Sequence, residues 1–346
     1  MSKKDSSVLE LKDITSNNKR SFIYSNFKFQ LDNFVKRKTF LVAVSGGPDS
    51  LALSALSNVY SIEKKRKVFF ALVDHGIRKN SSKEAENVKK LLKKRGINLI
   101  ILKNKKKINK NIQSYARKVR YELLLNFCKK NKIKFIMTGH HRDDQIETFL
   151  IRLSRGSGVQ GLSSMSKISS LNNTTKLLRP LLDEKKEKLV FIAKNYFGKI
   201  FKDPSNIDQK YLRTKIRNLI QRFEKSGIRH DRVIKSINNI ASSRDTLNFY
   251  IQKIENNCLI KKNNMITINL KKFLIENSEI QLKIFGNCIK KISKNYYPPR
   301  AKKILNLLNR IGSSQKLKAT LGGCIINIDK KKLTISKEKL KKGRKT

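Results

Sequence analysis

The chain is 346 residues long, enough for about two domains with separate cores. It carries 79 Lys and Arg against 26 Asp and Glu, a formal net charge of +53, and 38% of its residues are apolar. The apolar share excludes a wholly disordered chain, and the charge implies a polyanionic partner, nucleic acid being the usual one. Most of the cations are Lys in a chain rich in Asn and Ile, the mixture that codon drift writes in an A/T-biased genome. The sign of the charge therefore carries the inference, and its size does not.

In chain order, residues 1–38 read as a helical or irregular lead-in. Thr39–Val44 is a short β-branched apolar run, hence a buried strand, and a Gly-containing turn leads into a helix from Ser50 to about Tyr60. Lys67–Val73 is a second strand and Ser82–Arg95 a helix with Val88, Leu91 and Leu92 on one face. Ile97–Leu102, the helix Ile112–Lys130, the strand Lys134–Met137 and the helix Asp143–Leu153 continue the alternation. Strands alternating with helices through short loops predict an α/β fold, a doubly wound parallel sheet of Rossmann-like type. Asn172–Thr175 is a polar turn, and helices are expected over Glu184–Tyr196 and Lys210–Lys225. Gly227 marks the expected boundary, giving a domain over 1–225, with a helical extension from about 184, and a smaller, mostly helical region over 226–346. That second region is expected to hold helices at Arg232–Glu255, Glu279–Ser293 and Pro299–Asn309. A β-ribbon follows, with Lys318–Ile328 and Leu333–Ser336 flanking the turn Asp329–Lys332, then a disordered basic tail from Lys337.

The four cysteines, Cys128, Cys258, Cys288 and Cys324, never fall as Cys-x-x-Cys, which excludes zinc-ribbon, redox-pair and iron–sulfur patterns and fits a reducing, cytoplasmic setting. The N-terminus leads into no signal-type apolar stretch, and the runs Phe40–Val44 and Val68–Val73 are too short to span a bilayer. No membrane association and no protein partner are expected.

The chemistry gathers at strand ends. Ser45-Gly46-Gly47-Pro48-Asp49-Ser50 follows a buried strand and opens a helix. Two glycines let backbone close around phosphate oxygens, the helix N-terminus aims free N–H groups at the anion, and the hydroxyls of Ser45 and Ser50 add donors. Asp49, a carboxylate beside a polyphosphate, makes sense chiefly as a Mg²⁺ ligand. No Gly-Lys-Ser/Thr follows, so the loop is not a Walker A motif. Val73-Asp74-His75-Gly76-Ile77-Arg78 ends the second strand, and Thr138-Gly139-His140-His141-Arg142-Asp143-Asp144-Gln145-Ile146-Glu147-Thr148 follows the fourth. Ligands bind outside the carboxyl ends of parallel strands, and three of the four histidines in the chain lie on this rim. On the following helix Asp143 and Glu147 are spaced to share a face turned back to the loop, with Asp144 offset, an acidic patch for a metal or an amine.

Gly156-Ser157-Gly158-Val159-Gln160-Gly161 fits G-x-G-x-x-G, but a helix precedes it where a dinucleotide site needs a strand. It reads instead as a Gly-rich loop bordering the site, with Arg155 as a phosphate contact. Asp203-Pro204-Ser205-Asn206 is turn chemistry, and Arg213 and Arg217 beyond it make a basic helix face.

The Ser45–Ser50 loop resembles the pyrophosphate loop of N-type ATP pyrophosphatases, which cleave ATP to AMP and pyrophosphate. The three rim motifs in this order, with Arg179-Pro180-Leu181 and the Asp203–Asn206 segment, resemble the bacterial tRNA(Ile)-lysidine synthetases over about residues 40–217. Ser163-Ser164 and Thr214 depart from that family's usual residues. The resemblance implies an ATP-consuming ligase with ATP and Mg²⁺ as cofactors. Its partners are free L-lysine and a tRNA(Ile) with a CAU anticodon. The wobble cytidine is adenylated at O2 with loss of pyrophosphate, and the lysine ε-amine then displaces AMP. ATP binding falls to Ser45, Gly46, Gly47, Pro48, Asp49, Ser50, His75 and Gly139. Asp49, Arg78, His140 and Asp144 take the catalytic roles, Asp49 with the metal. Asp144 or Glu147 would meet the lysine ammonium, and Arg155, Arg213 and Arg217 the tRNA. The amine is protonated until about pH 10, so a carboxylate or His140 must accept its proton. Other pyrophosphate-loop enzymes, and a non-catalytic basic RNA-binding protein that would leave Asp49, Asp143 and Asp144 unexplained, are the rival readings. A thiolase of this type commonly uses Cys-x-x-Cys pairs, and an amidotransferase-fed synthetase needs a glutaminase domain for which no room remains.

Overall fold

A computed structural model gives the fold and describes residues 18–77, 80–104, 112–201, 212–262, 264–294, 298–312, 316–329 and 332–338. The chain divides into two compact units, Met1–Ala241 and Ser242–Thr346, later than the Gly227 boundary suggested by the sequence.

The first unit opens with helix α1 (Asn18–Phe34), then β1 (Phe40–Val44), α2 (Pro48–Glu63), β2 (Val68–Asp74), α3 (Ser81–Lys93), β3 (Leu99–Lys103), α4 (Ile112–Lys130), β4 (Phe135–Met137) and α5 (Arg142–Leu153). A short helix α6 (Val159–Leu162), the strands β5 (Ile168–Ser170) and β6 (Lys176–Leu178), α7 (Lys186–Phe197) and α8 (Leu212–Lys225) follow. The sheet order is β3-β2-β1-β4-β6-β5. All pairings are parallel except β5 on β6. Asn172 caps the tight connection between β5 and β6, its Oδ1 accepting the Thr175 amide at 2.7 Å, as the polar turn implied.

β1 lies at the centre, with Phe40 opposite both Val68 and Phe135. Its run is apolar throughout because both faces are covered. Phe40, Val42 and Val44 enter the core shared with α1, α2, α3 and α7, whereas Leu41 and Ala43 enter the core under α4 with Leu124 and Cys128. The strand period of two thus divides one sequence between two cores. The chain builds outward from β1 to β3 and returns on the other side of β1 as β4. The crevice between the carboxyl ends of β1 and β4 is therefore the topological switch point, where such sheets bind ligands.

The lead-in contributes to the core rather than preceding it. Ile23, Phe27, Leu31 and Val35, four apart, are all buried, and the Phe27 ring meets Tyr60 edge-on at 6.4 Å. Tyr60 donates its hydroxyl to Asp32 at 2.8 Å, and Lys28 pairs with Glu63 at 2.5 Å, fastening α1 along α2.

Helix α9 (His230–Cys258) carries the division between the units. In the second unit β7 (Leu259–Lys262), β8 (Met265–Asn269), α10 (Leu270–Leu274), α11 (Ser278–Ser293) and α12 (Ala301–Gly312) precede β9 (Lys316–Leu321), β10 (Cys324–Asp329) and β11 (Lys332–Lys337). Its five-stranded sheet runs β7-β8-β11-β10-β9, antiparallel throughout, and buries Ile268, Ile326 and Ile335 with Phe273, Phe285 and Ile289. The expected ribbon is present but larger. The stretch read as one strand, Lys318–Ile328, breaks at Gly322 and Gly323, whose φ values of +64° and +78° make a two-residue hairpin turn. Of the expected basic tail, Lys337 closes β11, Glu338 follows it, and 339–346 lie outside the described residues. Among the described residues no helix is long and apolar enough to cross a membrane.

Truncating Phe27 to Ala is expected to lower stability by about 3–5 kcal/mol. The drop should appear as a lower urea midpoint with unchanged slope, and a wild-type midpoint would show that α1 is an appendage.

Candidate active site

The loop after β1 is set by its backbone. Gly46 has φ +86°, and a Cβ there would stand 2.6 Å from Val88 Cγ2 on α3, so neither the conformation nor the space admits a side chain. The buried Ser50 hydroxyl ties the loop together. It accepts the amides of Ser45 and Gly46 at 3.1 Å each and donates to the Gly47 carbonyl at 3.0 Å, while the Ser45 hydroxyl lies 3.1 Å from it. Both hydroxyls, expected from the sequence to face phosphate, are thus engaged within the loop. Pro48 occupies the first turn of α2, where its missing N–H costs nothing, and the remaining first-turn amides are placed as donors for an anion.

At the end of β2, Asp74 braces the turn. Its carboxylate accepts the Gly76 amide at 3.0 Å and the Ser82 hydroxyl at 2.6 Å. Burial acts to raise its pKa, and these donors outweigh burial and hold it below the usual range. Both ring nitrogens of His75 are buried without a hydrogen-bond partner. Burial first, and the Arg120 charge second, lower its pKa to about 4, so a neutral imidazole faces the cavity. Arg78 and Asp203–Asn206 lie outside the described residues.

At the end of β4, Gly139 passes so near α2 that a Cβ would come 2.7 Å from the Asp49 carbonyl oxygen. Thr138 Oγ1 lies 2.8 Å from His140 Nδ1. Burial lowers the His140 pKa to about 4, with Asp144 acting the other way. His141 then caps α5, its Nδ1 accepting the Asp143 amide at 3.2 Å while the Asp144 carboxylate accepts the His141 amide at 3.0 Å. This reciprocal cap turns Asp144 back toward the loop, which helical spacing alone had assigned to Asp143. His141 Nε2 lies 3.6 Å from Asp49 and 3.6 Å from Asp144. Sequence reasoning left His141 without a role, although its place among the three rim histidines was the available signal.

Glu147, expected with Asp144 near the lysine ammonium, carries an ion pair. It is 2% exposed, and its Oε1 accepts Arg217 Nε at 2.5 Å, with Arg213 Nε 3.9 Å from Oε2. Oε1 is thus paired, whereas Oε2 is buried without a hydrogen-bond partner, and the 30% exposed Arg217 side chain turns its Nε to this carboxylate. Arg213 is half exposed and Arg155 is exposed at the end of α5. Ser164, one of the departures from the family pattern, donates its hydroxyl to the Gln145 carbonyl at 2.9 Å and so anchors the Gly-rich segment to α5.

The three strand ends border one cavity of about 440 Å³, lined also by Arg117, Arg120 and Tyr121 of α4 and by Phe201. A volume on that scale suits a cofactor-sized ligand. Arg117 and Arg120 went unnoticed in the sequence, where i,i+3 spacing among many cations carries no signal.

Asp49 is pushed the opposite way from Asp144. Burial raises its pKa, the Asp144 charge adds to this, and His141, Lys186 and Arg217 oppose it. For Asp144, burial is outweighed by His141, His140 and the His141 amide, and its pKa is lowered. Asp49 Oδ1 is buried with no hydrogen-bond partner. An orphaned carboxylate oxygen beside a phosphate loop fits a hard divalent cation. Among the described residues no three His, Cys, Asp or Glu side chains form a metal cluster, so a Mg²⁺ here would complete its shell from phosphates and water.

A glycine-built anion loop at the switch point of a parallel sheet defines an ATP-handling α/β domain, and the PP-loop domain family model matches residues 20–223. The chain belongs to the tRNA(Ile)-lysidine synthase family. It is 38% identical to the tRNA(Ile)-lysidine synthase of Wolbachia pipientis wMel over 290 residues, covering 82% of this chain and 67% of that protein. It is 32% identical to that of Rickettsia bellii (strain OSU 85-389) over 323 residues, covering 91% and 74%. The U34-tRNA thiolase NcsA from Methanococcus maripaludis has the same fold at 17% identity, with a TM-score of 0.52 over 64% of this chain and 79% of that one.

The Asp49 shift gives a prediction with a definite sign. A carboxyl whose folded pKa is raised costs stability once pH exceeds its unfolded value near 3.8, because the ionised form is less favourable in the folded state. Asp49→Asn should therefore melt higher than the parent protein at pH 7, and the gain should shrink toward pH 4. A lower melting temperature at pH 7 would contradict the assigned burial cost.

Proposed function

We propose that this chain ligates lysine to C2 of the wobble cytidine in a tRNA(Ile) bearing CAU, consuming ATP. The reading is carried by one observation: three strand ends converge on a single cavity, with Asp49 and Asp144 brought to the same imidazole.

In the first step the cytidine O2 attacks the α-phosphorus of ATP and the bond to pyrophosphate breaks. The first-turn amides of α2 and the glycine loop hold the departing phosphates, and Arg117 and Arg120 lie across the cavity to offset charge that grows on them. Magnesium at Asp49 supplies charge neutralisation for the triphosphate when bound. His75, kept neutral, has both nitrogens available to a nucleobase rather than to phosphate. In the second step the lysine ε-nitrogen attacks C2, the C2–O2 bond breaks, and AMP departs with that oxygen. With Glu147 held by Arg217, the lysine ammonium falls to Asp144, and neutral His140 takes the proton that the amine sheds. Arg155, the outward part of Arg213 and the region after residue 225 meet the tRNA backbone. All four cysteines are buried, and none lines this cavity, so sulfur transfer finds no support in the site.

Purified protein with ATP, Mg²⁺, labelled lysine and a CAU-bearing tRNA(Ile) transcript should release AMP and transfer label to the tRNA. Asp49→Ala should abolish both while tRNA binding persists. AMP release with no lysine transfer would refute the ligase reading, and turnover by Asp49→Ala would refute the metal assignment.

A further inference from the structure

The Asp143 amide donates to His141 Nδ1, so that nitrogen carries no proton and the ring proton sits on Nε2. Nε2 lies 3.6 Å from a carboxylate oxygen of Asp49 and 3.6 Å from one of Asp144. Both separations exceed a hydrogen bond, and they are equal, so the N–H is committed to neither carboxylate. The imidazole is 4% exposed, and its Nδ1 caps α5. Asp49 belongs to α2 and Asp144 to α5, and two carboxylates brought together in a buried site repel each other unless a donor stands between them.

We infer that His141 is a positioning residue: its Nε2–H stands between Asp49 and Asp144 and fixes the separation of the two carboxylates on which nucleotide and amine binding depend. The inference rests on the proposed ligase reading of this site. Catalytic contacts are often too long for a hydrogen bond in a free protein and tighten when ligand arrives, so the N–H is placed to close on either carboxylate. The ring serves two ends at once. Nδ1 secures the first turn of α5, and Nε2 couples that turn to the first turn of α2. Nothing in the spacing of the sequence distinguishes these two duties, because they belong to opposite edges of one side chain.

Two substitutions separate the duties. Asn carries an acceptor near the position of Nδ1 and keeps the cap, but it cannot reach the carboxylates. Ala loses both. The full-length His141→Asn variant, which keeps the cap, should melt higher than His141→Ala, which loses both duties. The binding of a nonhydrolysable ATP analogue with Mg²⁺ should weaken in His141→Asn by roughly 10–100-fold, the range seen when a supporting partner of a ligating side chain is removed. Analogue binding without Mg²⁺ should change far less. The half-saturating lysine concentration for label transfer should rise in the same variant. Combined with Asp144→Asn, the His141→Asn defect in analogue binding should be less than additive. If His141→Asn binds the analogue and lysine as the parent does, the positioning role is overturned. It is equally overturned if the losses track melting temperature through Asn and Ala alike, which is the behaviour of a cap alone. If the parent protein binds Mg²⁺ and the analogue but transfers no lysine, the ligase reading fails. The analogue measurement still decides the role of His141.

Discussion

The close passage of β4 over the first turn of α2 is the contact on which the site depends. Gly139 has no side chain, and one there would strike the Asp49 carbonyl at 2.7 Å. That proximity places the helix that opens at Arg142 beside the helix that opens at Pro48, each with its N-terminus at the crevice. A parallel sheet creates such a crevice only where the chain reverses its direction of growth, here between β1 and β4. The anion loop, the two facing carboxylates and the histidines all follow from this one arrangement. It is a constraint of backbone rather than of side chains.

The electrostatics follow from the same packing. In a chain of net charge +53 the site gathers carboxylates among its cations, with Asp49 and Asp144 partly buried and Glu147 fully so. Like charges gathered in a poorly solvated place must be separated in pKa or compensated, and both happen. The pKa of Asp144 is lowered where its hydrogen-bonded histidine amide and neighbours outweigh burial, that of Asp49 is raised by burial, and Glu147 takes Arg217. The burial cost carried by the Asp49 carboxylate is of the kind that binding sites carry.

The sheet and the position of the rim were legible in the sequence because they depend on local signals. Buried apolar runs such as Phe40–Val44 admit one reading, and the glycines after them mark the turns. The edges of the fold were less legible. β7 holds only Leu259 and Ile260 before two Lys, β8 alternates Ile with Met, Thr and Asn in a chain crowded with such residues, and Gly322-Gly323 ends the strand that the apolar pattern ran through. Within the site, residue types were readable but their directions were not. The reciprocal cap that turns Asp144 rather than Asp143 to the loop, and the pairing of Glu147 with Arg217, depend on rotamers and on contacts between distant segments. Ser45 and Ser50 were identified as part of the loop, yet their hydroxyls serve the loop itself.

The central claim is that ATP chemistry is built on the approach of β4 to α2, and a single methyl group tests it. Gly139→Ala inserts a Cβ against backbone atoms that cannot swing aside. Calorimetric titration of that variant with a nonhydrolysable ATP analogue and Mg²⁺ should show affinity reduced by at least about tenfold, or roughly 1.4 kcal/mol, with far-UV circular dichroism unchanged. Binding at the parent affinity would contradict the account, because the nucleotide would then not depend on the contact that assembles the site.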